Sequence, residues 1–130
     1  DKIGVMYKKM GEHKMALEYY LKSLNIKKSV YGDNVHPDIA ASFAYTASAY
    51  ADQEEYEKAL EYDFKALDML ESVSEDYCRL LAAASYGTIG QVYRSLLDYE
   101  KALEYSLKSL DIVKALYGDD NPFVAFFIIT

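Results

Sequence analysis

Residues that interrupt helices or form disulfides are scarce in this sequence, which holds two prolines, six glycines and one cysteine among 130 residues. It also has no tryptophan. The single cysteine, Cys78, excludes a disulfide framework and favours a reducing, intracellular compartment. The longest apolar run, residues 123–129, is shorter than the ~20 residues that cross a bilayer, and the start shows no signal-peptide pattern. Basic residues are also few, 14 against 21 acidic ones for a net charge of −7, which is the wrong sign for a general nucleic-acid binder.

Apolar and aromatic residues, by contrast, are abundant. Hydrophobic residues make up 52% of the chain, which excludes a disordered protein, and 14 tyrosines with few helix breakers favour long helices with a repeated aromatic position. The length suits one domain. The chain starts within an apolar helical pattern and ends in FFIIT without a cap, so we expect it to be a fragment of a longer protein.

An internal repeat with a period of 43 residues organises the sequence. Three blocks of fifteen residues, 12–26, 55–69 and 98–112, align without gaps. The positions that are identical in all three blocks are Ala16, Ala59 and Ala102; Leu17, Leu60 and Leu103; Glu18, Glu61 and Glu104; Tyr19, Tyr62 and Tyr105; Lys22, Lys65 and Lys108; and Leu24, Leu67 and Leu110. Upstream of the blocks, at the same offset, come Tyr7, Tyr50 and Tyr93, preceded by Gly4, Ala47 and Gly90. A fixed period of this length is typical of a solenoid of stacked units.

Each unit predicts two helices, because apolar residues recur at helical spacing on both sides of a short turn. The predicted helices cover residues 1–9, 12–30, 37–52, 55–73, 77–95, 98–116 and 122–130. Gly32 and Gly118 fit the positive-φ residue that ends a helix, and Pro122 fits the first position of a new one. Gly4 and Gly90 lie inside helices, where glycine is unfavourable. We therefore expect each of them to lie against the invariant Ala of its partner helix, with the repeated Tyr beside it.

The repeated pattern resembles the tetratricopeptide repeat. Gly/Ala-x-x-Tyr in one helix, followed by Ala-Leu-Glu-Tyr in the next, carries the resemblance. The long period and the loops YGDNVHPDIA (31–40) and YGDDNPFVA (117–125) are similar to the kinesin-light-chain type of this repeat. The family implies an all-α fold, a right-handed α-solenoid of antiparallel helix pairs. We expect one array over residues 1–130, with repeats at 1–39, 40–82 and 83–124 and the start of a fourth at 125–130. The middle loop, SVSEDYCRLL (72–81), departs from the family because it lacks both Tyr-Gly and Pro.

No constellation of residues predicts catalysis, a cofactor or a metal site. His13 stands at the place that Tyr56 and Tyr99 take in the other blocks, and His36 belongs to a family-like loop, so a structural role explains both. Cys78 has no cationic neighbour in sequence to lower its pKa, and we expect a buried, unreactive thiol. There is no Gly-rich phosphate loop after a strand. We therefore expect a protein that is not an enzyme and holds no cofactor.

The resemblance also implies where a partner would bind. In the family, the first helix of each pair lines the concave face of the array, and the inward positions here are rich in small residues and poor in charge. The candidate peptide-binding residues are Lys8, Lys9, Ala44, Tyr45, Ser48, Asp52, Gly87, Thr88, Gln91 and Arg94. The small residues Ala44 and Gly87 either leave room for a ligand or only permit tight curvature of the array, and the sequence leaves both interpretations open.

These observations predict a cytoplasmic, non-catalytic scaffold for protein–protein interaction, which binds a peptide or partner segment in the concave groove and binds neither nucleic acid nor membrane. The second hypothesis is a structural or sensor arm of a multidomain signalling ATPase, which would control self-association through the ends of the array. The acidic excess lies in residues 40–82, which hold ten acidic and three basic residues. A solvated outer face explains this excess, and an acidic surface for a basic partner is the alternative.

Overall fold

The computed structural model of the protein describes residues 2–9, 11–32, 36–71 and 75–118. Its helices are α1 (Lys2–Lys9), α2 (His13–Tyr31), α3 (Pro37–Asp52), α4 (Tyr56–Leu70), α5 (Asp76–Ser95) and α6 (Tyr99–Tyr117). They form three successive pairs, and in each pair a short turn brings the second helix back against the first. The pairs stack on one another, so that α2 contacts α3, α4 contacts α5, and α3 contacts α5. The described part of the chain is thus an all-α solenoid.

The helices that the structure describes begin and end within one residue of the predicted ones, except at the end of α4 beside the middle loop. α4 ends at Leu70, whereas the sequence predicted residue 73. This difference lies where the sequence lacks the Tyr-Gly that marks the helix end at the other loop positions. The predicted helix at 122–130 and the start of a fourth repeat at 125–130 lie outside the described residues.

The loop between the first two pairs is held by the residues that carry the family resemblance. Gly32 directly follows α2 with φ of 65°, and Gly118 directly follows α6 with φ of 83°, positive values that glycine adopts without steric cost. His36 caps α3, because its Nδ1 accepts a hydrogen bond from the Asp38 N–H at 3.1 Å. Its ring stacks on Tyr31 with centroids 3.7 Å apart, and the Tyr31 hydroxyl donates to Asp38 at 3.2 Å. The structural role expected of His36 is confirmed.

Gly4 and Gly90, two of the glycines inside helices, make room for different neighbours. At Gly90, a Cβ would lie 2.7 Å from Ser106 Oγ and 3.2 Å from the Ala102 carbonyl oxygen. Helix α5 therefore crosses the backbone of α6 at the invariant Ala, as predicted. At Gly4, a Cβ would overlap the ring of Tyr20. Gly4 therefore faces α2, the helix that carries the invariant Ala16, as predicted, and its nearest neighbour there is the Tyr20 side chain.

Repeated tyrosines fill the space between the two helices of a pair. Tyr50 of α3 stacks on Tyr62 of α4 with centroids 5.4 Å apart, and the equivalent Tyr93 and Tyr105 are 5.7 Å apart. The invariant Lys65 lies over the Tyr62 ring at 5.2 Å, and its equivalent in α6 lies over Tyr105 at 5.1 Å. The predicted packing of the repeated Tyr is confirmed in the second and third pairs. A cation–π contact accounts for the lysine that recurs with it.

The hydrophobic core runs along the array as a row of small clusters. One cluster joins Leu24 of α2 to Ile39 and Phe43 of α3, and another joins Ala59 of α4 to Val92 of α5. Both of these clusters take residues from two neighbouring pairs. Stacked repeats therefore stabilise one another, because a single pair cannot bury its own apolar face.

Candidate functional site

Helices α3 and α5 are the first helices of neighbouring pairs and lie side by side, as expected for the face that carries the candidate residues. Tyr45 of α3 is half-buried, and its ring stacks on Tyr20 of α2 with centroids 5.6 Å apart. Tyr20 is only 1% exposed. Tyr45 therefore packs on a buried ring and still presents part of its own ring to solvent. A tyrosine held in this way loses little conformational entropy when a partner binds.

The small residues Ala44 and Gly87 face the second helix of their own pair. Ala44 packs against the cluster that contains Leu24 and Ala66. A Cβ placed on Gly87 would lie 3.7 Å from the Ser109 Oγ of α6. This is an ordinary van der Waals distance, so the contact does not require a glycine. Both interpretations of the two small residues, space for a ligand and tight curvature of the array, stay predictions.

Several polar candidates make contacts within the array. The Asp52 carboxylate lies 3.5 Å from Nδ1 of His13 in α2, so this histidine joins two neighbouring helices, in line with the structural role expected of it. Thr88 Oγ1 donates a hydrogen bond to the Ala84 carbonyl one turn earlier, at 3.1 Å. Ser48 lies half-buried on α3. Asp52 and Thr88 therefore make contacts within the array.

Gln91 and Arg94 come together near the end of α5. They line a shallow cavity of about 250 Å³ with Gly90 of the same helix and with Tyr99 and Leu103 of α6. Arg94 is exposed, and Tyr99 and Leu103 are 63% and 61% exposed. An arginine beside apolar surface suits a carboxylate that is next to an apolar group, because the guanidinium donates charge-assisted hydrogen bonds.

The last two candidates, Lys8 and Lys9, end α1, and their side chains lie outside what the structure describes. The structure adds one residue that the sequence analysis missed, Tyr77. It is 52% exposed at the start of α5, and partial burial, followed by the proximity of Tyr45 and Asp38, raises its pKa. Tyr77 on α5 therefore adds a second exposed tyrosine to the face that carries Tyr45 on α3. No repeat motif pointed to it, because it lies in the middle loop that departs from the pattern.

Thiols and groups of metal-ligating side chains are two features on which chemistry by this chain could depend. Cys78 is fully buried, which confirms the expected burial of this cysteine, and burial, followed by the nearby Glu75, raises the pKa of its thiol. Within the described ranges, no three histidine, cysteine, aspartate or glutamate side chains are grouped so that they could hold a metal ion. None of the helices described is both long and apolar enough to cross a membrane.

One carboxyl group is buried away from the candidate face, at the boundary between α4 and α5. Asp63 is 1% exposed and lies beside Ser85, which is equally buried. Among the described residues, neither oxygen of Asp63 nor the Ser85 hydroxyl has a hydrogen-bond partner. Burial raises the pKa of Asp63 to about 8, although the nearby Ser85 hydroxyl lowers this pKa. The group is therefore mostly protonated at neutral pH and belongs to the packing between pairs.

Comparison of sequences finds tetratricopeptide repeats over most of the chain. One family of this repeat matches residues 1–72, and a second matches residues 82–123. No curated protein matches the sequence.

Solved structures of low sequence identity share the fold. BtubC (BKLC) from P. vanneervenii has a TM-score of 0.75 and 19% identity, over 95% of this chain and 48% of that one. The nearly identical TPR-like repeats of a Podosopora anserina protein named as a kinesin light chain have a TM-score of 0.81 and 16% identity, over 97% of this chain and 59% of that one. The chain thus spans about half to three-fifths of the length of these two proteins.

Proposed function

Because this chain belongs to the tetratricopeptide repeat family and has a kinesin-light-chain-like form of its solenoid, we propose that it binds a peptide or partner segment along α3 and α5 without catalysing a reaction. Repeats of this family generally serve as scaffolds for protein interaction. A stack of helix pairs presents an extended surface that crosses several repeats. We place this activity in the cytoplasm, in keeping with one buried, unpaired cysteine, and in a single array over residues 1–130.

The observation that carries the proposal is that α3 and α5 lie side by side and each presents a tyrosine with an exposed part, Tyr45 and Tyr77. Tyr45 is braced by the buried Tyr20 ring, and Tyr77 is more than half exposed. Tyrosine combines a large contact area with a directed hydroxyl, and tyrosine and arginine are enriched among the residues that dominate binding energy. The two rings would hold an apolar side chain of the partner, and Arg94 further along α5 would bind an acidic one.

A peptide-display selection against the whole chain tests this proposal. For a selected peptide, we expect Tyr77→Ala and Arg94→Ala each to weaken binding by at least about fivefold in titration calorimetry. Both side chains are exposed, so the helical circular dichroism should not change. The control is the double substitution Glu57→Lys with Glu61→Lys on the exposed side of α4. If binding survives both alanine variants and is lost in the control, the partner binds the acidic outer face and the proposal is wrong.

A second function, as a structural or sensor arm that controls self-association, is favoured by the outer face of α6. Leu103 and Leu107 are 61% and 48% exposed, whereas Leu60, the repeat equivalent of Leu103, packs against the cluster around Ala59 and Val92. We propose that this face stacks on another repeat unit, as the arm of a multidomain signalling ATPase would. Sedimentation equilibrium should show concentration-dependent association that Leu103→Glu abolishes. A monomer at every concentration would exclude this second function for the chain.

A further inference from the structure

An open pocket lies at the junction of the second and third pairs, beside the middle loop that departs from the repeat. Its volume is about 370 Å³, and it opens between the C-terminal ends of α4 and α6 and the start of α5. Leu67, Leu70, Ala82 and Ile112 form its apolar wall. Ligand pockets in proteins start at ~300 Å³, so this one has room for one large side chain with part of its backbone.

The equivalent junction between the first and second pairs is filled. There, Leu24, Ile39 and Phe43 form a buried cluster, and Met69 packs against it. One repeat later, the residues at these four positions are Leu67, Ala82, Tyr86 and Ile112, all of which line the pocket. Ile39 is 3% exposed, whereas Ala82 is only half-buried. The pocket therefore lies where alanine replaces isoleucine at one core position of the repeat.

The aromatic stack beside the first junction has no counterpart in the sequence of the second. His36 stacks on Tyr31 at the first junction. One repeat later, the sequence has Arg79 at the place of His36 and Ser74 at the place of Tyr31. Arginine and serine cannot form the aromatic stack that histidine and tyrosine form at the first junction. The substitutions in the middle loop and at Ala82 thus alter the same junction.

The polar groups of the pocket are Glu71, Arg79 and Tyr86. At the first junction, Lys28 lies over the Phe43 ring at 5.0 Å, and Glu71 stands at the equivalent position. Burial and then Glu71 raise the pKa of the Tyr86 hydroxyl, so this carboxylate lies near the ring. Among the described ion pairs, none joins Glu71 to Arg79. The pocket therefore offers an acidic and a basic group that are each free to bind a partner of opposite charge.

This pocket is separate from the face proposed above. Arg79, Ala82 and Tyr86 follow one another at the spacing i, i+3 and i+7, which places them on one side of α5. At about 100° per residue, that side is roughly opposite to the side that carries Thr88 and Gln91. A ligand in the pocket would contact α4 and α6, and a partner on the candidate face would contact α3 and α5.

We propose that the pocket is a second binding site, for a peptide segment that has a leucine anchor between one basic and one acidic residue. The anchor occupies the space that Ile39 fills at the first junction and packs against Leu67 and Ile112. The flanking basic residue pairs with Glu71, and the flanking acidic residue pairs with Arg79. A ligand of a single charge sign would satisfy one of these groups and be repelled by the other, which excludes strongly acidic or strongly basic segments.

Nuclear magnetic resonance titration of the isotope-labelled chain with two capped tripeptides, acetyl-Lys-Leu-Glu-amide and acetyl-Glu-Leu-Lys-amide, tests the proposal. We expect saturable shifts at the backbone amides of Ala82, Tyr86 and Ile112, with one tripeptide preferred and the uncharged acetyl-Gln-Leu-Gln-amide bound at least about threefold more weakly. No saturable shift, equal affinity for the uncharged tripeptide, or shifts confined to the side of Thr88 and Gln91 would each overturn the proposal.

Three variants distinguish a specific pocket from nonspecific binding. Ala82→Ile restores the residue of the first junction and should weaken the preferred tripeptide at least about tenfold while the melting temperature stays equal or rises. Ala84→Ile, on the exposed opposite side of the same helix, should leave binding unchanged. Exchanging the rim charges (Glu71→Arg with Arg79→Glu) should invert the preference between the two charged tripeptides. Unchanged binding by Ala82→Ile, or an unchanged preference after the exchange, would contradict the site whatever the stability of either variant.

Discussion

Asp63→Asn removes an ionisable group from the packing between α4 and α5 and conserves its size. In the wild type this carboxyl is 1% exposed, and neither of its oxygens has a hydrogen-bond partner among the described residues. Ionisation in place leaves a charge without water around it, so the folded protein retains the proton up to a pKa of about 8, against an ordinary value of 3.8. Asparagine is neutral at every pH, and the variant does not bear this desolvation cost.

The sign and size of the effect follow from the two pKa values of Asp63. Between them, the folded state binds more protons than the unfolded state, so the wild type loses stability as pH rises. The loss approaches about 1.4 kcal/mol for each pH unit. From pH 5 to pH 7, the free energy of unfolding of the wild type should therefore fall by roughly 2–3 kcal/mol relative to Asp63→Asn. The difference should level off above the folded-state pKa of about 8.

Urea denaturation followed by circular dichroism, repeated from pH 5 to pH 8.5, measures this difference. Subtracting the wild type from the variant cancels the titration of the other carboxylates, which is shared by both proteins. The matched control is Asp68→Asn, an exposed carboxylate on the same helix, for which the difference should not change with pH over this range. A difference between wild type and Asp63→Asn that is independent of pH, or a variant less stable than wild type at pH 7.5, would refute the reasoning.

Three further predictions concern packing and backbone geometry. Gly90→Leu should force α5 and α6 apart and lower the free energy of unfolding by about 3 kcal/mol or more, whereas Glu55→Ala at an exposed turn should change it little; equal thermal melts would contradict the close crossing. Leu97 has φ of 66° and is 71% exposed, so Leu97→Gly should stabilise the fold by about 1 kcal/mol. The neighbouring Leu96→Gly, where φ is −83°, should not stabilise it, and chemical denaturation distinguishes the two. His36→Ala removes a cap and an aromatic stack and should cost about 1 kcal/mol in the same assay; an unchanged midpoint would argue against that cap.

The repeat made most of the fold predictable from sequence. Helix pairs, the crossing at Gly90, the stacked Tyr50 and Tyr62, and the structural role of His36 follow from residues that recur at one offset or from local cap chemistry. The burial of Cys78 was predictable for a similar reason, since apolar residues lie near it in the sequence. These features depend on contacts within one helix, one loop or one pair, where spacing along the chain determines which residues meet.

Tertiary structure decided what lies between neighbouring pairs. The Tyr20 ring that stacks on Tyr45, the buried Asp63 and the exposed Tyr77 occupy positions whose residue type changes from one repeat to the next. The space beside Ala82 likewise lies at a position that an isoleucine takes at the first junction. Periodicity determines the helices because each turn interacts with the next turn of the same chain. It does not determine these junctions, because there the free energy depends on the volume and charge of side chains that meet only after the pairs have stacked.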